Sequence, residues 1–236
     1  MRRPRRVYHE VGVDRLATGQ WQVRLDHQPA LTPAGQNLHL PNERLAEAIA
    51  GEWRSQIEEI RPETLGLNRL ANTAVDRIGS NRGSAVAEIL KFAGSDLLCF
   101  RASGPDLLVA RQSAVWDPLL DWAREHYGIN LKTVCGISPI RQPVEDFASL
   151  KSFLLQLDDF ALAAVVAAAN ILGSAVLALA LMEKRLDSQE ALAAAELDAA
   201  YQAEFWGEDP EVTSRNLKMR IEIELISRFM ALGAAL

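Results

Sequence analysis

The sequence predicts an α+β protein, with a small β-rich N-terminal domain over residues 1–62 followed by a larger all-helical C-terminal domain over residues 63–236. Three observations lead there. Apolar and polar residues alternate in VYHEVGV and WQVRL, the pattern of half-buried strands, with ATGQ as the turn between them. After Pro41 the apolar residues recur every three or four positions instead, which is the spacing of one helix face. Of the 236 residues 49% are hydrophobic, enough to give both parts a buried core.

Taken in order, the Pro- and Gly-rich DHQPALTPAGQNLHLP continues the β region as short strands joined by turns. A helix then begins near Asn42, with Leu45, Ala46, Ile49, Ala50, Trp53 and Ile57 on one face, and Pro62 ends the element. Trp53 on that face is expected to be structural. Further helices are expected over about 64–78, 83–93, 117–127, 145–157, 159–184, 188–206 and 211–232. Asp187, followed three residues later by Glu190, marks a helix start. In the last helix Leu217, Ile221, Leu225, Phe229 and Leu232 are placed on a single ridge; Met219, Ile221, Ile223 and Leu225 also alternate as in a strand, but the length favours a helix.

The uncharged run from Phe160 to Met182 is long enough to span a bilayer. It is alanine-dominated, is interrupted by Asn170, Gly173 and Ser174, and lacks an aromatic belt. It is therefore expected to be two close-packed helices, or one bent helix, at the centre of the helical part, without stable membrane insertion. A net charge of -6 argues against a nucleic-acid partner, which demands a clustered positive surface. The basic cluster Arg2, Arg3, Arg5 and Arg6 is read as a solvated tail. The two cysteines, Cys99 and Cys135, belong to no metal-ligand spacing and suit a reducing compartment. With no secretory signal ahead of Tyr8, a cytoplasmic location is expected for a bacterial chain.

The densest chemistry lies in SDLLCFRASGPDLLVARQSAVWDPLLDWA, residues 95–123. An enzyme built on Asp96, Cys99, Arg101 and His126 is the alternative to a binding protein. Nucleophilic catalysis requires a base held by a third group, and His9, His27, His39 and His126 have no motif neighbours. No phosphate loop, dinucleotide fingerprint, nucleophile elbow or zinc-helix motif is present. Cys99 sits in an apolar run and is expected to be a buried thiol. Asp117 before Pro118 is expected to cap a helix start, with Trp116 packed on the buried side. Asp96 and Arg101 are expected to form a structural ion pair. No catalytic residue, metal or cofactor is assigned.

Several phrases, in order, resemble one family: LDHQPALTP at 25–33, LAEAIAGEW at 45–53 with Gln56, NRLANTAVD at 68–76, DLLCFRA at 96–102, Arg111 with Gln112, WDPLLDWA at 116–123, GSAVLALAL at 173–181 and YQAEFWGED at 201–209. The family is that of the assembly chaperones acting on the alpha subunit of the F-type, proton-transporting ATP synthase, found in mitochondria and alphaproteobacteria. Gly66, Asn68, His27 and Gln28 depart from its pattern, all in connecting segments. The resemblance implies a two-domain, non-catalytic protein that binds free alpha subunit and shields the surface later covered by the beta subunit. A eukaryotic member would work in the mitochondrial matrix. The free protein is expected to be a monomer. The acidic motif after Trp206, with Glu208, Asp209 and Glu211, is the first candidate for partner contact. Its other reading is a turn between helices, with Gly207 as a stop and Asp209-Pro210 as the next start.

Overall fold

Strands form where the alternation and turns require them. In the computed structural model, which describes residues 3–136, 141–142, 147–207 and 210–234, β1 (Val11–Arg15) pairs antiparallel with β2 (Trp21–Leu25), Val13 opposite Val23. Asp26 takes positive φ in the two-residue turn into β3 (Gln28–Pro29), and its carboxylate accepts from the backbone N–H groups of His9 and Glu10. The short β4 (His39–Leu40) also pairs with β2, which completes a four-stranded antiparallel sheet.

Helices make up most of the remainder, so a small N-terminal β region precedes a larger helical part. They are α1 (Glu43–Arg54), α2 (Gly66–Thr73) running into a π-helical turn (Ala74–Ile78), α3 (Arg82–Gly94), and α4 (Asp106–Tyr127). After the short parallel pair β5 (Phe100–Arg101) and β6 (Val134–Cys135) come α5 (Ala148–Gln156), α6 (Asp159–Leu172) and α7 (Ala175–Met182). The chain ends with α8 (Ser188–Ala195), α9 (Leu197–Trp206) and α10 (Pro210–Gly233).

Two compact units result. The first comprises Met1–Arg82, Asp158–Ala164 and Arg228–Leu236. Its core is Val23, Leu38 and Leu40 from the sheet side with Leu45, Ile49 and Leu67 from α1 and α2. Asn42 caps α1 by accepting from Leu45 N–H, and its amide donates to the carbonyls of Leu232 and Gly233 at 2.9 and 3.3 Å. Arg44 donates to the Ala234 carbonyl at 2.8 Å, and Phe160 stacks on Phe229 with ring centroids 6.2 Å apart. Trp53 donates from its indole to Asn68 and meets Tyr8 edge-on, while the Glu52 carboxylate accepts from Leu67 and Asn68 N–H at the start of α2.

The second unit comprises Gly83–Leu157 and Val165–Ser227. The alanine-rich run 160–182 resolves into α6 and α7, broken where Gly173 takes positive φ. Every residue of α7 from Ala175 to Leu181 is buried. Among the described residues no helix is long and apolar enough to cross a membrane. The expected capping box is present: Asp187 accepts from Gln189 and Glu190 N–H, and Glu190 accepts from Asp187 N–H.

Three local expectations are corrected. Asp117 and Pro118 do not open a helix; they lie inside α4. Leu108, Gln112, Trp116, Leu119, Ala123 and Tyr127 form one buried stripe through the proline, and burial of that stripe outweighs the missing Pro118 N–H. Ile57 is exposed because α1 ends at Arg54, and buried Gln56 turns inward to bond Glu52 and Thr64. In α10 the buried residues are Ile223, Ile226 and Phe229, so the expected ridge is split and Leu217 and Ile221 face solvent.

Trp116 holds the second unit together through packing and through its indole N–H, which donates to the Ala194 carbonyl at 2.9 Å. Trp116→Ala is expected to lower unfolding free energy by about 3–5 kcal/mol, read from urea titration.

Candidate functional site

The 95–123 segment is held by structural bonds. Asp96 is fully buried; it accepts from Leu98 N–H at 3.1 Å and from Val176 N–H at 3.1 Å, and the Ser174 hydroxyl and Ala175 N–H point at it as well. Burial pushes its carboxyl up to about 6, against the pull of those hydrogen bonds. Asp96 does not pair with Arg101 as expected, because three donors at the α7 N-terminus and the Leu98 N–H of its own turn occupy it. Arg101 instead donates to the Leu98 carbonyl at 2.8 Å, and its guanidinium lies 5.2 Å from the Trp116 ring centre. Its Nη2 comes to 2.7 Å from Asp117 Oδ1, a close charge contact whose angle falls short of a hydrogen bond.

Cys99 is buried, with Gln142 Nε2 3.5 Å from its sulfur. Burial, with the Asp96 charge nearby, pushes the thiol up to about 12. His126 stacks on Trp122 and meets Tyr127 edge-on. Among the described residues no three His, Cys, Asp or Glu side chains gather as a metal site.

The most exposed large apolar side chains lie elsewhere in this unit. Asp198 accepts from Gln112 Nε2 at 2.7 Å, and Glu204 accepts from Arg111 at 2.6 Å, so α9 is tied to α4 at two points. Arg111 also lies 5.3 Å from the Tyr201 ring centre, and its hydrogen bond, with its charge adding to it, holds the Glu204 carboxyl below the usual range. Beyond these ties α9 ends with Phe205 at 62% and Trp206 at 88% exposure. Between α9 and α10 lies a groove of about 760 Å³, lined by Ala199, Ala203, Trp206, Val212 and Thr213 with Glu196 and Glu204. On α10, one turn apart, Leu217 and Ile221 are 58% and 56% exposed.

Of the predicted contact residues, Trp206 and Glu211 are exposed near this groove. Glu208 and Asp209 lie outside the described residues. Phe205, Leu217 and Ile221 were missed as surface residues. For Phe205 the available signal was its place beside Trp206; for the other two it was the competing stripe Met219, Ile223, Ile226 and Met230.

Atp12 from Paracoccus denitrificans has this fold, with a TM-score of 0.92 and 35% identity, covering 98% of this chain and 99% of that one. The Atu1473 protein of Agrobacterium tumefaciens superposes with a TM-score of 0.88 and 40% identity, over 97% of this chain and 85% of its own. A curated relative, the mitochondrial protein atp12 of Schizosaccharomyces pombe, is 23% identical over 222 residues, or 88% of this chain and 76% of the relative. These likenesses put the class as an α+β chaperone. The sequence model of the ATP12 chaperone protein family matches residues 5–124. The chain belongs to the ATP12 chaperone family.

Two outcomes follow from these environments. Because the Asp96 carboxyl is raised from 3.8 to about 6 on folding, its contribution is full below 3.8 and is lost as pH rises through 6. Chemical denaturation is therefore expected to show wild type losing roughly 3 kcal/mol relative to Asp96→Asn between pH 3.5 and pH 7. A thiol reagent is expected to label exposed Cys135 within minutes and Cys99 only on unfolding. Rapid labelling of Cys99 would revive the enzyme reading.

Proposed function

We propose that this chain is a molecular chaperone that binds the free alpha subunit of the F-type ATP synthase. On this reading it promotes assembly of the catalytic alpha/beta hexamer by shielding the surface that the beta subunit later covers. Family membership carries the reading. The relatives named Atp12, and the resemblance of phrases spread from Leu25 to Asp209, support the alpha subunit as client. The protein acts by binding alone, as a monomer when free, in the bacterial cytoplasm or the mitochondrial matrix.

Trp206, Glu208, Asp209 and Glu211 are assigned to client contact. A tryptophan so exposed loses apolar contact with water only when a partner covers it, and such aromatics dominate interface energies. The carboxylates beside it fix register and orientation more than affinity.

Purified chain is expected to suppress light scattering by isolated alpha subunit at equimolar ratio and to co-elute with it on size exclusion. Neither occurring would end the proposal. Trp206→Ala is expected to weaken the complex by about 2 kcal/mol or more, with an unchanged thermal melt. The paired change Glu208→Lys with Asp209→Lys is expected to weaken it likewise; a parallel loss of folding would make those residues structural.

A further inference from the structure

A cavity of about 500 Å³ lies within the first unit, to which every residue lining it belongs. Asn68 and Asn72, one turn apart on α2, line it together with Leu65 just before the helix and the exposed Pro33 and Pro62. Both prolines are held from behind. Asp76 accepts from the Thr32 hydroxyl at 2.6 Å and from Ala34 N–H at 3.1 Å, which fixes the turn carrying Pro33. Buried Gln56 accepts from Arg61 N–H at 2.8 Å and donates to Thr64 at 2.9 Å, which fixes the turn carrying Pro62. Surroundings so fixed make a pre-formed site.

The fold does not use up the two carboxamides. Asn68 is only 7% exposed; Glu52 accepts from its backbone N–H, and its Oδ1 accepts from the Trp53 indole at 3.0 Å. Its Nδ2 is left a donor without an acceptor among the described residues. Asn72 Oδ1 is closed to water and has no hydrogen-bond partner among the described residues. An unsatisfied buried acceptor destabilises the fold that carries it, and asparagine forms helix less readily than leucine, which is of similar size. The free protein thus keeps at this position a residue that weakens it. Just beyond, at Ala74–Ile78, the helix widens into its π-helical turn, a distortion that recurs at functional sites.

We propose that this cavity receives a glutamine or asparagine side chain from an extended segment of the client. The inference rests on the chaperone reading above and adds a contact on the first unit. The incoming carboxamide oxygen accepts from Asn68 Nδ2. Its NH2 donates to Asn72 Oδ1, which a turn about the soft last torsion of that side chain brings to the cavity. The aliphatic stem lies against Leu65, Pro33 and Pro62. A charged occupant finds no charge waiting for it: the lining carries both signs, in Asp76 and in Arg69 and Arg77, and each of these already has a partner in the fold. An apolar occupant leaves both asparagines unpaired, so a donor and an acceptor side by side select a group that carries both.

The test uses the isotope-labelled full chain and short blocked alanine peptides that differ only at a central glutamine, glutamate or leucine. Binding is read from the side-chain NH2 resonances of Asn68 and Asn72. The glutamine peptide is expected to shift both and to bind at least about ten-fold more tightly than either of the others. Asn72→Leu is expected to raise the thermal midpoint of the free chain and yet to weaken its complex with isolated alpha subunit about five-fold or more. A purely structural asparagine does the opposite to the midpoint. If Asn72→Leu lowers the midpoint or binds alpha subunit as wild type does, the inference is wrong, and alpha binding by wild type keeps the chaperone reading. Equal binding of the leucine peptide assigns the contact to the main chain and also overturns the inference. If the glutamine peptide behaves as expected and alpha subunit does not bind, the cavity chemistry is upheld and the client is wrong. No shift with the glutamine peptide overturns the inference whatever alpha subunit does.

Discussion

The packing of α4, α8 and α9 depends on one buried requirement: α7 begins inside the core. Its first amides cannot reach water, and an unsatisfied buried N–H costs about 1–3 kcal/mol. Asp96 and Ser174 satisfy them, Ser174 by accepting from Leu177 N–H. Meeting that need fixes the 97–99 turn, and through it Arg101, which lies against Trp116 and Asp117 of α4. Trp116 in turn reaches the end of α8, and Gln112 reaches α9. The exposed aromatics at the end of α9 are therefore presented by a continuous series of polar anchors that starts at a single carboxylate.

That series explains why the most chemistry-rich segment of the sequence does no chemistry. A carboxylate, a thiol and a guanidinium close together suggest a reaction centre, but each has been committed to structure. The Asp96 lone pairs face amides, the Cys99 sulfur faces an amide donor in a dry site, and the Arg101 guanidinium covers an indole. The surface of α9 and α10 is the reverse: chemically plain, rich in alanine, and left open around a tryptophan.

The β1–β2 hairpin, the Asp187 capping box and the break at Gly173 were legible, because each depends on residues within a few positions of one another, whereas the β5–β6 pair, which joins distant residues, and the division of the expected 188–206 helix into α8 and α9 were not. Asp117-Pro118 was misread because a local start signal competed with a stripe running through α4 from Leu108 to Tyr127, and only packing against other helices decides such a contest. The α10 ridge failed for a related reason. Apolar residues occur on two of its faces, and the sequence carries no mark of which one the core will cover. Trp206 was picked out by family phrase, whereas its exposure follows from where α9 stops, a property of tertiary structure.

The first unit is assembled from both ends of the chain. The helix that covers its sheet finds acceptors for Asn42 and Arg44 only in the carbonyls of Leu232, Gly233 and Ala234, and Phe160 waits for Phe229. On the ribosome the strands emerge long before these partners do. A region made early thus closes late, and until then its helix ends and apolar faces must be tolerated unfinished. A protein of the chaperone family passes through its own period of incomplete burial before it can relieve that of another.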